Sequence, residues 1–276
     1  MPDSDPAVTL ARLEEVADEH RYGGKANELG AAVRAGLPVP DGIAIPYDFL
    51  DALVADVRPE SLLEQRLRGL DGPYAVRSSG IGEDSELASF AGQHRTEINV
   101  LDIDGVLEAL ERVHASARSE AVLEYREQMG IEDPPRTGAV VQTMVDADVA
   151  GVLFTRNPVD GSDERVVEAA WGLGEAVVDG LVTPDRFRMR PGGEVLERRA
   201  GRKDVRVEPA PAGGTRTESV PDPDRNRLCL DDDRLGALDG LAERCEAYRS
   251  GGHDIEWAFA DGDLYLLQRR DITTGR

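Results

Sequence analysis

Hydrophobic positions along this chain change their period often, and each change marks an element. Over 10–20, Leu10, Leu13, Val16 and Ala17 share one face at helical spacing, which predicts a helix. Tyr22-Gly23-Gly24-Lys25 interrupts the pattern, and a second helix is expected over 26–35, closed by Gly36 as its C′ residue. The turn-rich stretch 38–42 leads into an apolar strand at 43–45, and 48–57 and 59–70 read as helices. A strand over 74–77 runs into a polar, glycine-containing stretch from 78 to 93. The longest helical pattern covers 104–129. Strands follow at 139–144, 150–154 and 166–170, with a short helical segment at 173–178. Beyond it, 186–208 reads as a meander turning at Pro191-Gly192-Gly193, 210–224 as a loop, and 233–249 as a helix. A hairpin closes the pattern, with strands 254–259 and 264–269 around Asp261-Gly262-Asp263. Helices mixed with antiparallel-looking strands predict an α+β arrangement.

Composition narrows the function classes. At 276 residues, 40% of them hydrophobic and 5% aromatic, the chain can bury one large core or two lobes, built from Val, Leu, Ala and Ile. No apolar run approaches the roughly 20 residues that span a bilayer, and residues 1–10 hold two Asp and no basic residue, unlike a secretory leader. A cytoplasmic protein is therefore expected, with no membrane partner. The net charge of −22 comes from carboxylates dispersed along the chain, which suits a surface kept hydrated in high salt better than one docking face for a basic partner. No basic footprint for nucleic acid is present. Only two of the 32 basic residues are lysine, Lys25 and Lys203, so both draw attention as point charges for phosphate. Cys229 and Cys245 lack neighbouring ligands for zinc and are expected to be packing residues without a disulfide.

Five patches combine glycine with charge. In Gly23-Gly24-Lys25, glycines ahead of a helix let backbone N–H groups approach an anion, and Lys25 opposes the helix dipole unless an anion is there; a plain turn is an equal reading. Arg77-Ser78-Ser79-Gly80 and Ser89-Phe90-Ala91-Gly92-Gln93 bracket a stretch that reads as a flap over phosphates or as a capped loop. Gln142 and Met144, as i and i+2 residues of one strand, face one side, as an adenine wall or an ordinary core strand requires. Glu168 to Glu175, with Trp171-Gly172-Leu173-Gly174, reads as a tight strand-to-helix turn. In the final hairpin, alternation puts Asp254 and Glu256 on one face, and likewise Gln268 and Arg270, so Glu256, Gln268 and Arg270 meet across the strands. A carboxylate and an amide oxygen suit magnesium already held by phosphates; a surface salt bridge is the plainer alternative.

In order and spacing these patches resemble the nucleotide-binding domain of the pyruvate phosphate dikinase, phosphoenolpyruvate synthase and rifampicin phosphotransferase family. The stretches that carry the resemblance are GGKANELG, AVRSS, ASFAGQ, VVQTMV, AGVLFTRNP, EAAWGLGEAVV, VTPDRF, DIEWAF and LYLLQRRDIT, from Gly23 to Thr273. The resemblance implies an ATP-grasp fold, two α+β lobes closing on MgATP, here residues 1–141 and 142–276. It puts Lys25 and Arg77 on the phosphates, Gly92 and Thr96 in the flap, and Gln142 and Met144 beside the adenine. Glu256 and Gln268 would hold Mg²⁺, and Arg270 the transferring phosphoryl group, with Arg77 and Arg270 the catalytic cations. Full-length relatives also carry a swivelling domain with a phosphorylatable histidine and an acceptor domain. His20, His94, His114 and His253 lack that domain's Gly-rich context, Asp271 stands where relatives usually have proline, and Arg156 where they often have a small residue. The implied function is ATP-dependent transfer of a phosphoryl or pyrophosphoryl group to a histidine on a separate chain, with no full turnover by this chain alone. A non-catalytic ATP-sensing module and the remnant of a split synthase gene remain as alternatives.

Overall fold

A computed structural model of the chain describes residues 9–55, 60–81, 95–128, 130–131 and 133–272. It divides into two compact units. Unit 1 is Met1–Ala31, Asp41–Met144 and Ala212–Gly214, and unit 2 is Ala32–Pro40, Val145–Pro211 and Thr215–Arg276.

Unit 1 is built on five strands: β1 (Ala11–Arg12), β2 (Gly42–Ile45), β3 (Tyr74–Gly80), β4 (Thr96–Val100) and β5 (Thr137–Thr143). They form an antiparallel sheet in the order β1-β2-β5-β3-β4. Helix α1 (Gly24–Arg34) ends at Gly36, whose φ of 73° and the Leu37 N–H bond to the Ala32 carbonyl (3.0 Å) make the expected C′ cap. Period-two alternation sends Ile43, Ile45, Val76, Ala139 and Val141 to one side, against α2 (Tyr47–Val54), α3 (Glu60–Leu67) and α4 (Ile103–Ser116). Phe49, Leu50, Leu63, Val106, Leu110 and Val113 fill that core. Each fully buried aliphatic or Phe side chain there contributes about 1.5–3 kcal/mol.

Two sequence expectations in this unit fail. Residues 10–20 are not one helix: β1 and a 3₁₀ turn at Leu13–Glu15 precede a single helical turn at Glu19–Tyr22. Leu10, Leu13 and Val16 are all buried, so a spacing of three is satisfied by a strand entering a tight turn, and periodicity over so short a run cannot separate the two. The long pattern 104–129 is two helices, α4 and α5 (Glu120–Gln128), separated at 117–119. Asp102 caps α4 by accepting from Gly105 N–H at 2.9 Å.

Unit 2 carries β6 (Val149–Phe154), β7 (Arg165–Trp171), β8 (Asp185–Met189), β9 (Val195–Arg199), β10 (Val205–Pro209), β11 (Thr215–Ser219), β12 (His253–Ala260) and β13 (Asp263–Asp271). Six of them form an antiparallel sheet in the order β13-β12-β6-β7-β8-β9, and β10 and β11 make a separate hairpin. Residues 215–219, expected as loop, are strand β11. Thr217 pairs with Val207, Ser219 with Val205 and Thr215 with Pro209, so the strand forms despite the flanking glycines and prolines.

One face of the six-stranded sheet is apolar and buried, presenting Ile255, Trp257, Leu153, Val167, Ala169 and Phe187. Helix α6 (Asp232–Tyr248), which contacts β12, buries Leu235, Leu238, Leu241, Ala242 and Cys245. Buried Arg165 at the start of β7 forms ion pairs with Asp239 and Glu246 of that helix. The opposite face is only half-buried and carries charge, and it positions the site.

Candidate functional site

In unit 1 the start of α1 rests on β3. Gly23 has φ of 86°, and a Cβ there would lie 2.1 Å from the Ser79 carbonyl oxygen, so only glycine lets the backbones approach this closely. Ala26 N–H then donates to Ser79 Oγ at 3.0 Å, and Lys25 Nζ donates to the Ser78 carbonyl at 2.9 Å. This anchoring sets Lys25 beside the strand position next to Arg77. Across β4, the register partner of Arg77 is Thr96. Gln142 on β5 pairs with Ala75, two residues before Arg77 and on the same face, the face turned away from the α2–α4 core. Lys25, Arg77, Thr96 and Gln142 are thus gathered on one side of one sheet. Gln142 is nearly sealed (3% exposed) and Met144 lies just past the end of β5, 8% exposed, its N–H bonded to the Pro73 carbonyl at 2.8 Å. Gly92, together with Ser89, Phe90 and Gln93 of the expected flap, lies outside the described residues.

In unit 2 the hairpin β12–β13 pairs Glu256 with Gln268 and Asp254 with Arg270, so four polar side chains share the half-buried face. Arg270 Nη2 reaches Glu256 Oε1 at 3.3 Å. The Gln268 amide oxygen, turned to Arg270, accepts from Nη2 at 2.6 Å and Nε at 2.5 Å. The expected meeting of Glu256, Gln268 and Arg270 is therefore present. Gln268, however, spends one lone pair holding the arginine, and the second carboxylate at hand is Asp254, to which the sequence reading gave no role. Its signal was the Asp-x-Glu alternation.

Asp254 is electrostatically unusual. Its Oδ1 is buried with no hydrogen-bond partner among the described residues. Burial first, and Glu256 second, raise its pKa to about 6 against the pull of Arg270. Two carboxylates side by side, one oxygen orphaned, form an arrangement that a divalent cation relieves, so the donor set fits magnesium. Among the described residues no group of three or more His, Cys, Asp or Glu could hold a metal, so most of the coordination would fall to phosphate oxygens and water.

Other residues singled out by the sequence sit elsewhere. Lys203 is not a phosphate residue: it is fully buried in an ion pair with buried Asp185, which also accepts from the backbone N–H of Gly201 and of Cys229, both at 2.7 Å. Trp171 packs, donating Nε1–H to the Asp224 carbonyl at 3.1 Å under the guanidinium of Arg227. His253 is buried, and its two ring nitrogens are both engaged. Nε2 must donate to the Arg249 carbonyl (2.9 Å), which leaves Nδ1 to accept from Arg269 (2.7 Å) and fixes one neutral tautomer. Burial lowers its pKa further. His114 faces Asp51 at 2.9 Å, His20 is exposed, and His94 lies outside the described residues. Asp271 binds Arg269 (2.6 Å) and Arg249 (3.3 Å), and Arg156 pairs with Asp163 (3.6 Å). Both cysteines are free and buried.

Residues 61–276 match the family model described as pyruvate phosphate dikinase, AMP/ATP-binding domain. The chain belongs to that family. It is 33% identical over 300 residues to a probable phosphoenolpyruvate synthase of Methanothermobacter thermautotrophicus, covering 91% of this chain and 44% of the relative. It is 41% identical over 234 residues to the rifampicin phosphotransferase of Streptomyces sviceus, covering 84% of this chain and 26% of that protein. The chain thus spans less than half the length of the curated relatives it matches. Among solved structures, a D-alanine–D-alanine ligase of Bacillus anthracis complexed with ATP overlaps 90% of this chain with a TM-score of 0.42 and 11% identity. The α+β architecture of the two units agrees with the ATP-grasp expectation. Among the described residues no helix is long and apolar enough to cross a membrane.

Proposed function

We propose that this member of the pyruvate phosphate dikinase AMP/ATP-binding family binds MgATP and passes a phosphoryl or pyrophosphoryl group to a histidine on a separate chain. The observation that carries the reading is the half-buried sheet face of unit 2, where Asp254, Glu256, Gln268 and Arg270 stand in register with one carboxylate oxygen left unpartnered. Family membership supports the nucleotide binding.

The site residues take the following roles. In unit 1, Lys25 and Arg77 neutralise phosphate oxygens, Thr96 closes the phosphate side, and Gln142 and Met144 border the base; Gly92 belongs to the same flap. In unit 2, Asp254 and Glu256 hold the cation with help from Gln268, and Arg270 meets the transferring group. Magnesium, when bound, neutralises charge on the phosphate chain. The protein's own contribution is position: Gln268 and Glu256 fix the Arg270 fork so that it faces the equatorial oxygens as charge builds there. Transfer breaks one P–O bond of the nucleotide and forms one P–N bond to the imidazole. ADP leaves when the terminal phosphoryl moves, and AMP leaves when pyrophosphoryl moves.

Calorimetric titration of ATP with and without magnesium tests the binding step. Binding should require magnesium in the natural chain, lose that requirement in Glu256→Gln, and weaken in Lys25→Met. Magnesium-dependent binding that survives Glu256→Gln intact defeats the metal assignment. Transfer is read by labelled ATP and the separate histidine-bearing chain, with label expected on the partner.

A further inference from the structure

The polar face of the unit 2 sheet extends well beyond the hairpin. Register partners run in one row across five strands: Gln268 on β13, Glu256 on β12, Val152 on β6, Glu168 on β7 and Arg186 on β8. All five side chains therefore point to the same side. Three strand spacings of about 4.8 Å separate Glu256 from Arg186, so the arginine stands roughly 14 Å along the face from the carboxylates.

Glu168 and Arg186 are direct cross-strand partners of opposite charge, a pairing that ordinarily closes into an ion pair. Here none forms between them among the described residues, and Arg186 Nε is buried with no hydrogen-bond partner. The next residue outward in the row, Arg199, is a second cation and gives Arg186 no acceptor. By contrast Arg188, two positions along the same strand and face, is held by Glu164 at 2.8 Å and by Glu197 at 3.2 Å. One arginine of the strand is saturated by the protein and the other is left with donor capacity on a half-buried face. A guanidinium desolvated in that way is completed by an oxyanion from outside.

We propose that Arg186, flanked by Glu168 and Arg199, is the anion-binding residue of a second subsite on this face, taking a phosphate or carboxylate group. The location rests on the nucleotide reading, which places the phosphates at the Glu256 end. The oxyanion then comes either from a second ligand bound beside the nucleotide or from the nucleotide's own far phosphate. Glu168, with no ion pair among the described residues, suits a hydroxyl or amino group next to the anion.

The test titrates the full chain with inorganic phosphate, alone and with a magnesium complex of a non-hydrolysable ATP analogue already bound. Arg186→Gln, Arg186→Lys and Arg270→Gln are run beside the natural chain, with a thermal melt to verify folding. Loss of phosphate binding by about tenfold or more in Arg186→Gln, partial recovery in Arg186→Lys and retention in Arg270→Gln are expected for a separate ligand. If the bound analogue blocks phosphate and Arg186→Gln instead weakens the analogue itself, the nucleotide supplies the anion and the subsite still stands. Unchanged affinity for both ligands in folded Arg186→Gln overturns the proposal, as does phosphate binding lost only in Arg270→Gln. A chain that binds phosphate through Arg186 but no ATP would overturn the nucleotide reading alone.

Discussion

Replacing Asp254 by asparagine should stabilise the metal-free protein while damaging its affinity for the magnesium nucleotide. The carboxyl is raised from 3.8 to about 6, by burial first and by Glu256 second. At about 1.4 kcal/mol per pKa unit, holding it ionised in the folded state costs about 2–3 kcal/mol once some solvent screening is allowed for. The sign follows from which form is disfavoured. Folding favours the protonated acid, so the stabilisation from this group is complete below its unfolded pKa and vanishes as pH rises through about 6. Asparagine keeps the shape and removes the charge, and so escapes the penalty at high pH.

Denaturant unfolding of both proteins, without magnesium and at fixed salt, supplies the measurement. The asparagine variant should exceed the natural chain by about 2 kcal/mol near pH 8, and the gap should shrink toward zero as the acid protonates below about pH 4. Taking the difference between the two proteins cancels the titration of the many other carboxylates on a chain of net charge −22. In the same variant, magnesium-dependent nucleotide binding should weaken about tenfold or more, since a charged oxygen has become a neutral one. A variant that is less stable at both pH values, or a gap that ignores pH, would refute the claim that Asp254 is an uncompensated charge.

Two further predictions concern Lys203 and Gly23. Lys203→Met strands the Asp185 carboxylate in a dry interior and should cost about 3–5 kcal/mol in chemical denaturation, with part of the loss restored by adding Asp185→Asn. A cost under about 1 kcal/mol would show the pair is solvated. Gly23→Ala combines φ of 86° with a Cβ 2.1 Å from the Ser79 carbonyl, so it should cost about 2 kcal/mol or more and displace the start of α1; a melt together with ATP titration reads both effects.

Much of this architecture is legible in the chain because its signals are local. Asp261-Gly262, both at positive φ (52° and 89°), turns the terminal hairpin where the turn residues said it would. Alternation on either side then dictates that Glu256 meets Gln268. Gly36 closes α1 for the same reason of local stereochemistry. The failures fall where tertiary contacts decide. Leu10, Leu13 and Val16 fit a helical wheel, yet β1 pairs with β2 through Ala11↔Ala44 and Arg12↔Ile43, partners more than thirty residues away. Strand β11 is invisible because Thr215 to Ser219 gains strand character only against β10. Alternation puts Asp254 on the right face but gives it no role, because its orphaned oxygen depends on what packs around it.

The two lysines show how structure separates charges that composition treats alike. Scarcity makes Lys25 and Lys203 equally notable in a chain of thirty arginines. Lys203 and Asp185 are both completely buried and mutually paired, and the carboxylate is closed off by two backbone N–H groups. Such a pair has nothing left to offer a ligand, and removing one partner would strand the other's charge in the interior. Lys25 is half-buried and tethered to the Ser78 carbonyl, a neutral acceptor, where Lys203 is tethered to a carboxylate. On the sheet of unit 2, Asp254 and Arg186 each keep a buried polar atom without a partner among the described residues. A folded chain tolerates such deficits where a bound group will cancel them. Under the proposed reading, opposite deficits, a surplus of carboxylate at the β12–β13 end and of guanidinium at β8, suit a ligand set with a cation at one end of the face and an anion toward the other. The proposed magnesium complex of ATP supplies both charges, which neither a neutral ligand nor a simple cation does.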